Sequence, residues 1–133
     1  MTHFTRGGSR LTTEQFIALS TIHGILGGHF LPEYEEANKL DWELIENPAF
    51  MKDVFDTIES LPEPCSEIFV KYYSGKSYKE ISKELKMRAT TVEEYLHKAW
   101  RLLRHPRRSK AISHYATEFR KLERESYEED EDD

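Results

Sequence analysis

The chain predicts an all-α fold: a three- to four-helix core containing a helix-turn-helix, with extra helices on its N-terminal and C-terminal sides. Three observations carry the prediction. Apolar residues recur at the three- and four-residue spacing of a buried helix face through most of the chain. Proline and glycine fall between these stretches, at Gly27-Gly28, Pro48, Pro62, Pro64, Gly75 and Pro106, where they separate helices. Only Lys86 to Ala89 divides two of the periodic stretches, so their helices must cross steeply and leave the outer face of the second one free.

In order along the chain, the first ten residues hold two glycines and little apolar content and read as a loose arm. Leu11 to Leu26 reads as a helix: Thr12 or Thr13 caps it, Glu14 and Gln15 suit its first turn, and Phe16, Leu19, Ile22 and Leu26 form its apolar stripe. That stripe fits core packing or a partner-binding face. Residues 29–46 interleave Phe30, Tyr34, Leu40, Trp42 and Leu44 with acidic residues, which suits short helices around Glu33 to Lys39 and Asp41 to Ile45. Asn47-Pro48 is a cap followed by a first-turn proline, and opens a helix to about Ser60 that buries Met51, Val54, Phe55 and Ile58. After Pro62 and Pro64, Cys65 to Tyr73 forms a further helix closed by Ser74-Gly75.

The helix-turn-helix follows. Ile81 and Leu85 lie one turn apart on its first helix, Met87 sits in the link, and Val92, Leu96, Ala99 and Leu103 line its second helix. Beyond Pro106 a last helix is expected from about Ser109 to Glu125, with Ile112, Tyr115, Phe119 and Leu122 on one face. Glu128 to Asp133 is wholly acidic, cannot bury anything, and reads as a disordered, solubilising tail that also has the charge to fold back on a basic surface. The chain thus divides into an N-terminal extension (1–46), a helix-turn-helix domain (47–115) and a C-terminal helix end with its acidic tail (116–133).

A net charge of -6 looks unsuited to nucleic acid until it is resolved along the chain. Residues 1–75 hold 5 basic and 12 acidic side chains, residues 76–115 hold 11 and 4, and residues 116–133 hold 3 and 9. Positive charge is therefore concentrated on the helix-turn-helix and its exit, the footprint of a phosphate-binding surface. The single cysteine, Cys65, forms no internal disulfide, and the sequence has neither a signal-peptide pattern nor the roughly 20 consecutive apolar residues of a membrane helix. A cytoplasmic protein without membrane contact is expected. No enzyme is predicted: the six histidines lack two-histidine metal spacing, one cysteine builds no thiolate cluster, and no glycine-rich phosphate loop is present. Neither a metal nor a cofactor is implied, and His105 is expected to end a helix.

Leu103-Arg104-His105-Pro106, with Arg107, Arg108 and Ser109, resembles the end of the promoter-recognition helix in region 4 of sigma-70 family transcription initiation factors. Upstream, Ile58-Glu59-Ser60-Leu61-Pro62-Glu63 through Phe69 and Tyr72-Tyr73 is similar to the family's preceding helix, with its Leu-Pro opening and tyrosine-containing end. The resemblance covers roughly Asn47 to Tyr115. It implies a winged-helix-like sigma region 4 fold and two partners, double-stranded promoter DNA and the beta flap of the RNA polymerase core. Region 2, the part of the family that melts DNA, is not expected in 133 residues. The role is then partial: a split sigma subunit or an activator bridging upstream DNA to the flap, with a sigma factor or region 2-like protein as a further candidate partner. A phage or mobile-element setting suits a gene of this layout.

On the second helix the outward candidates for DNA contact are Thr90, Thr91, Glu93, Glu94, His97, Lys98, Arg101 and Arg104, flanked by Lys76, Lys79, Arg88, Arg107 and Arg108 as phosphate holders. Family members commonly carry basic or amide residues at the positions of Glu93 and Glu94. The acidic pair here either reads cytosine, whose exocyclic amine donates to a carboxylate, or marks a fold that has lost DNA recognition. The second case defines the alternative, a protein-interaction module that mimics region 4 and inhibits or redirects the polymerase or a sigma factor. An ordinary repressor dimerising through the extra helices is a third reading. For the polymerase flap, the resemblance implies Phe69, Tyr72, Tyr73, Leu96 and Trp100, with Ile81 and Leu85. Trp100 lies beside the strict core stripe, where it is either part-exposed in a groove or packed under the last helix against Tyr115 or Phe119.

Overall fold

The structure, a computed structural model, describes residues 2–6, 9–26 and 39–115. Among them are helices α1 (Thr13–Ile25), α2 (Lys39–Ile45), α3 (Pro48–Glu59), α4 (Cys65–Tyr73), α5 (Tyr78–Leu85) and α6 (Ala89–Arg104), and a helical stretch, α7, over residues 106–115. The all-α class holds, with one addition. Where a loose arm was expected, strands β1 (Thr2–Arg6) and β2 (Ser9–Thr12) pair antiparallel, with Thr5 opposite Arg10 and Arg6 opposite Ser9. In the sequence two glycines separate these strands, a connection that favours hairpins as readily as loops.

That hairpin also corrects the start of the first helix. Leu11 belongs to β2 and is fully buried, and Thr12 caps α1 through a reciprocal pair of bonds. The Thr12 hydroxyl accepts from the Gln15 N–H at 3.1 Å, and Gln15 Oε1 accepts from the Thr12 N–H at 3.0 Å. Instead of one apolar stripe, α1 buries an unbroken run from Phe16 to Ile22, because it packs against α3, α4 and α6 at once. Buried Thr21 is accommodated by donating its hydroxyl to the Ile17 carbonyl at 2.7 Å. The short helix expected around Glu33 lies outside the described residues. Its neighbour α2 is joined to α1 where His23 Nε2 meets the buried Asp41 Oδ1 at 2.8 Å.

The remaining helices follow their caps. Asn47 Oδ1 accepts from the Ala49 N–H at 3.0 Å, with Pro48 in the first turn of α3. Phe50, Val54 and Ile58 of α3, Ile68 and Phe69 of α4, and Val92, Ala99 and Leu103 of α6 share one core with Leu11, Leu19 and Ile22. α7 begins at 106, earlier than expected, because His105 is extended and Pro106 suits a first helical turn. There His105 Nδ1 accepts from the Arg107 N–H at 3.1 Å. Tyr115 packs edge-on against Phe50 at 5.2 Å and donates to Asp53 Oδ2 at 2.9 Å. The expected course of this helix to Glu125 and the acidic tail lie outside the described residues.

Candidate nucleic-acid interface

The interface is built on α5 and α6. Ser77 starts α5 with a capping box: its hydroxyl accepts from the Glu80 N–H at 3.1 Å, and Glu80 Oε1 accepts from the Ser77 N–H at 2.9 Å. Lys86 then reverses the chain in the left-handed region, with φ 55° and ψ 48°, and Arg88 is extended before α6 begins at Ala89. Val92, Leu96, Ala99 and Leu103 anchor the inner face of α6. On the opposite face Thr90, Glu94, His97 and Arg101 lie three or four residues apart and are exposed, flanked by exposed Glu93 and Lys98, while Thr91 is half-buried.

The candidate cations separate into two groups. Lys79, Arg88, Lys98, Arg101 and Arg107 are exposed, and among the described residues none of their side chains has an ion-pair partner. Lys76, Arg104 and Arg108 are already engaged. Lys76 pairs with Glu84, which also accepts from Lys71 at 2.7 Å and so ties α4 to α5. Those two lysines hold the Glu84 carboxyl below the usual carboxylate range. Arg104 Nε donates to the Gly24 carbonyl at 3.0 Å, and its guanidinium lies 4.9 Å from the centre of the Trp100 ring. Arg108 donates from Nε to Ser60 Oγ and from Nη2 to the Ser60 carbonyl, both at 3.1 Å, closing the end of α3. A charged side chain at a helix exit satisfies carbonyls at another helix's end as well as it satisfies phosphates. These two arginines, expected on DNA, also tie α6 to α1 and α7 to the end of α3.

Two of the free cations, Lys98 and Arg101, lie near the engaged Arg108. Burial pushes the Cys65 thiol up, and Lys98, Arg101 and Arg108 oppose that shift, which places all three around the N-terminal end of α4. Glu93 and Glu94, near the start of α6, have no ion-pair partner among the described residues. The surface is therefore acidic toward the first half of α6 and basic toward its exit.

The expected polymerase-contact residues form an aromatic cluster of a different character. Phe69 and Leu96 are buried and present nothing to a partner, as is Ile81, whereas Tyr72, Tyr73, Leu85 and Trp100 are half-buried. Trp100 Nε1 donates to the Tyr73 hydroxyl at 3.1 Å, and its ring meets Phe69 edge-on at 5.2 Å. Its outer edge rests on α1 so closely that a Cβ on Gly24 would lie 2.2 Å from the ring. Trp100 thus packs under the N-terminal helix, not against Tyr115 as one reading held. Tyr78, which sequence reasoning missed, stacks on Tyr72 at 5.0 Å. Burial first, and Tyr72 second, push its hydroxyl up to about 12. Its place directly after the Ser77 cap was the available signal.

Among the described residues no group of three or more histidine, cysteine or carboxylate side chains is arranged to hold a metal ion. No described helix is long and apolar enough to cross a membrane. Residues 52–103, from within α3 to the last turn of α6, match the family model for region 4 of the sigma-70 factors, which supports a sigma-70 region 4-like domain over this part of the chain. No curated protein and no solved structure matches the chain significantly. A domain of this family has a DNA-binding or RNA polymerase-interacting role in transcription.

Proposed function

We propose, from the premise that residues 52–103 form a sigma-70 region 4-like domain, that this cytoplasmic protein regulates transcription initiation by laying α6 in the major groove of promoter DNA. The free outer face of α6 supports this most directly. Glu94 and Arg101 project from it without ion-pair partners among the described residues, while Lys79, Arg88, Lys98 and Arg107 flank them as phosphate contacts. Glu94, one turn into the helix, accepts from the exocyclic amine of cytosine and sets a sequence preference. Half-buried Tyr72 and Tyr73 supply the accessible part of a contact to the polymerase beta flap, while α1 and Arg104 cover the Trp100 ring.

Labelled duplex DNA titrated across a salt series tests the reading. We expect a steep decline of affinity with salt, and Arg101→Glu together with Lys98→Glu lowers the slope by about two units if each cation neutralises one phosphate. A flat salt response in the parent chain overturns DNA binding. The second reading, a module that binds polymerase or a sigma factor without DNA, is favoured by one observation: unpaired Glu93 and Glu94 stand where a phosphate-seeking helix would carry cations. It predicts retention on core polymerase with no salt-dependent DNA binding.

A further inference from the structure

The basic half of α6 is open, and the chain itself carries a polyanion suited to it. We propose that the acidic run Glu128–Asp133 docks on the exposed cations at the exit of α6, Lys98 and Arg101 with Arg107 just beyond them in the chain, and competes there with nucleic acid. The competition rests on the DNA-contact reading of this face; the docking does not.

Charge is the first argument. Residues 76–115 carry 11 basic and 4 acidic side chains, whereas residues 116–133 carry 3 and 9, with six carboxylates in succession at the end of that stretch. The placement of the cations is the second. Lys98 and Arg101 lie around the N-terminal end of α4 with Arg108, and Arg107 and Lys110 are exposed on the helix that leads toward the acidic run. The acidic residues of α6, Glu93 and Glu94, lie nearer its other end, so they do not oppose docking at the exit. Carboxylates accept from lysine and arginine in the same geometry as phosphate oxygens, so occupancy by one excludes the other.

Reach is the third argument. Tyr115 is fixed against Phe50 and Asp53. At 1.5 Å per helical residue, α7 carries it only about 14 Å along the axis from residue 106. The chain from Tyr115 to Glu128 spans up to about 45 Å when extended and about 25 Å if the helix runs on to Glu125, so docking requires that helix to end well before Glu125. Tethering holds the acidic run at an effective concentration of roughly millimolar, so even weak exposed ion pairs are populated at low salt. Screening over about 10 Å at 0.1 M salt makes the latch partial and salt-sensitive.

The test compares the full chain with a chain lacking residues 128–133, using a mixed-sequence duplex DNA and, separately, amide NMR spectra without DNA. Deletion is expected to tighten DNA binding about three- to tenfold at low salt, with the gain fading above physiological salt. It should also shift the Lys98, Arg101 and Arg107 amides more than those of α3. Unmoved α6 amides overturn the docking, even if affinity rises, because a general field effect of six charges would raise it as well. Moved α6 amides with no DNA binding by either chain uphold the docking while the DNA reading fails.

Discussion

Arg101 and Arg104 sit one turn apart on the same helix, yet only one of them faces outward unengaged. Arg101 is exposed without an ion-pair partner, whereas Arg104 donates to the Gly24 carbonyl and covers Trp100. Arg101→Ala should leave the melting temperature within a degree or so, as surface substitutions usually do, and lower the salt slope of DNA binding by about one unit. Arg104→Ala should cost about 1 to 2 kcal/mol of stability, from the lost charge-assisted hydrogen bond and the contact with the indole. Thermal melts of the two variants, paired with the salt series, separate the roles; equal melts would mean that the Gly24 contact contributes nothing. The sequence could not make this distinction. A basic run at a helix exit looks the same whether it meets phosphates or the carbonyl ends of α1 and α3, and only the packing of distant segments decides.

At the scale of elements, the helix-turn-helix was legible because its signals are local. Ser77 and Glu80 cap α5, three residues (Lys86, Met87 and Arg88) make the turn, and the inner positions of α6 repeat at helical spacing. What remained hidden is the cost of the turn. Lys86 adopts φ 55°, a region where a side chain crowds the backbone and glycine does not. Lys86→Gly should therefore stabilise the domain by up to about 1 kcal/mol, despite the extra chain entropy that glycine brings to the unfolded state. Chemical denaturation reads this directly, and a loss of stability would show that the Lys86 side chain makes a compensating contact. The turn is also fastened from outside, where Lys71 and Lys76 hold Glu84. Because this depresses the Glu84 carboxyl, its contribution is complete above the ordinary carboxylate range and disappears as acid protonates the folded form.

For the whole molecule, the decisive element is the one that the sequence explained least. Helical spacing identified a stripe on α1, and a stripe fits either a core face or a docking face. Ile17, Ala18, Ser20 and Thr21 are buried as well, because α1 has neighbours on several sides, and no periodicity within a single segment reveals how many helices surround it. The family match begins at residue 52, but the core does not. Leu11, Phe16, Ile17, Leu19, Ile22 and Ile45 all lie before it and are buried. At about 1.5 to 3 kcal/mol for each large apolar side chain buried, these six are worth about 9 to 18 kcal/mol, as much as the roughly 5 to 15 kcal/mol by which a domain is stable. A chain beginning at residue 47 should therefore fail to fold cooperatively, with Trp100 and Phe69 uncovered and Arg104 deprived of its carbonyl. The expected outcome is a broad, shallow thermal transition and poor amide dispersion for residues 47–133. A sharp transition would instead show that α1 is a detachable cover, and the Trp100 face beneath it would then be open to a partner. Loss of DNA binding on such truncation says nothing about a DNA contact by residues 1–46, because α6 keeps its outer face in position only while α1 supports its inner one.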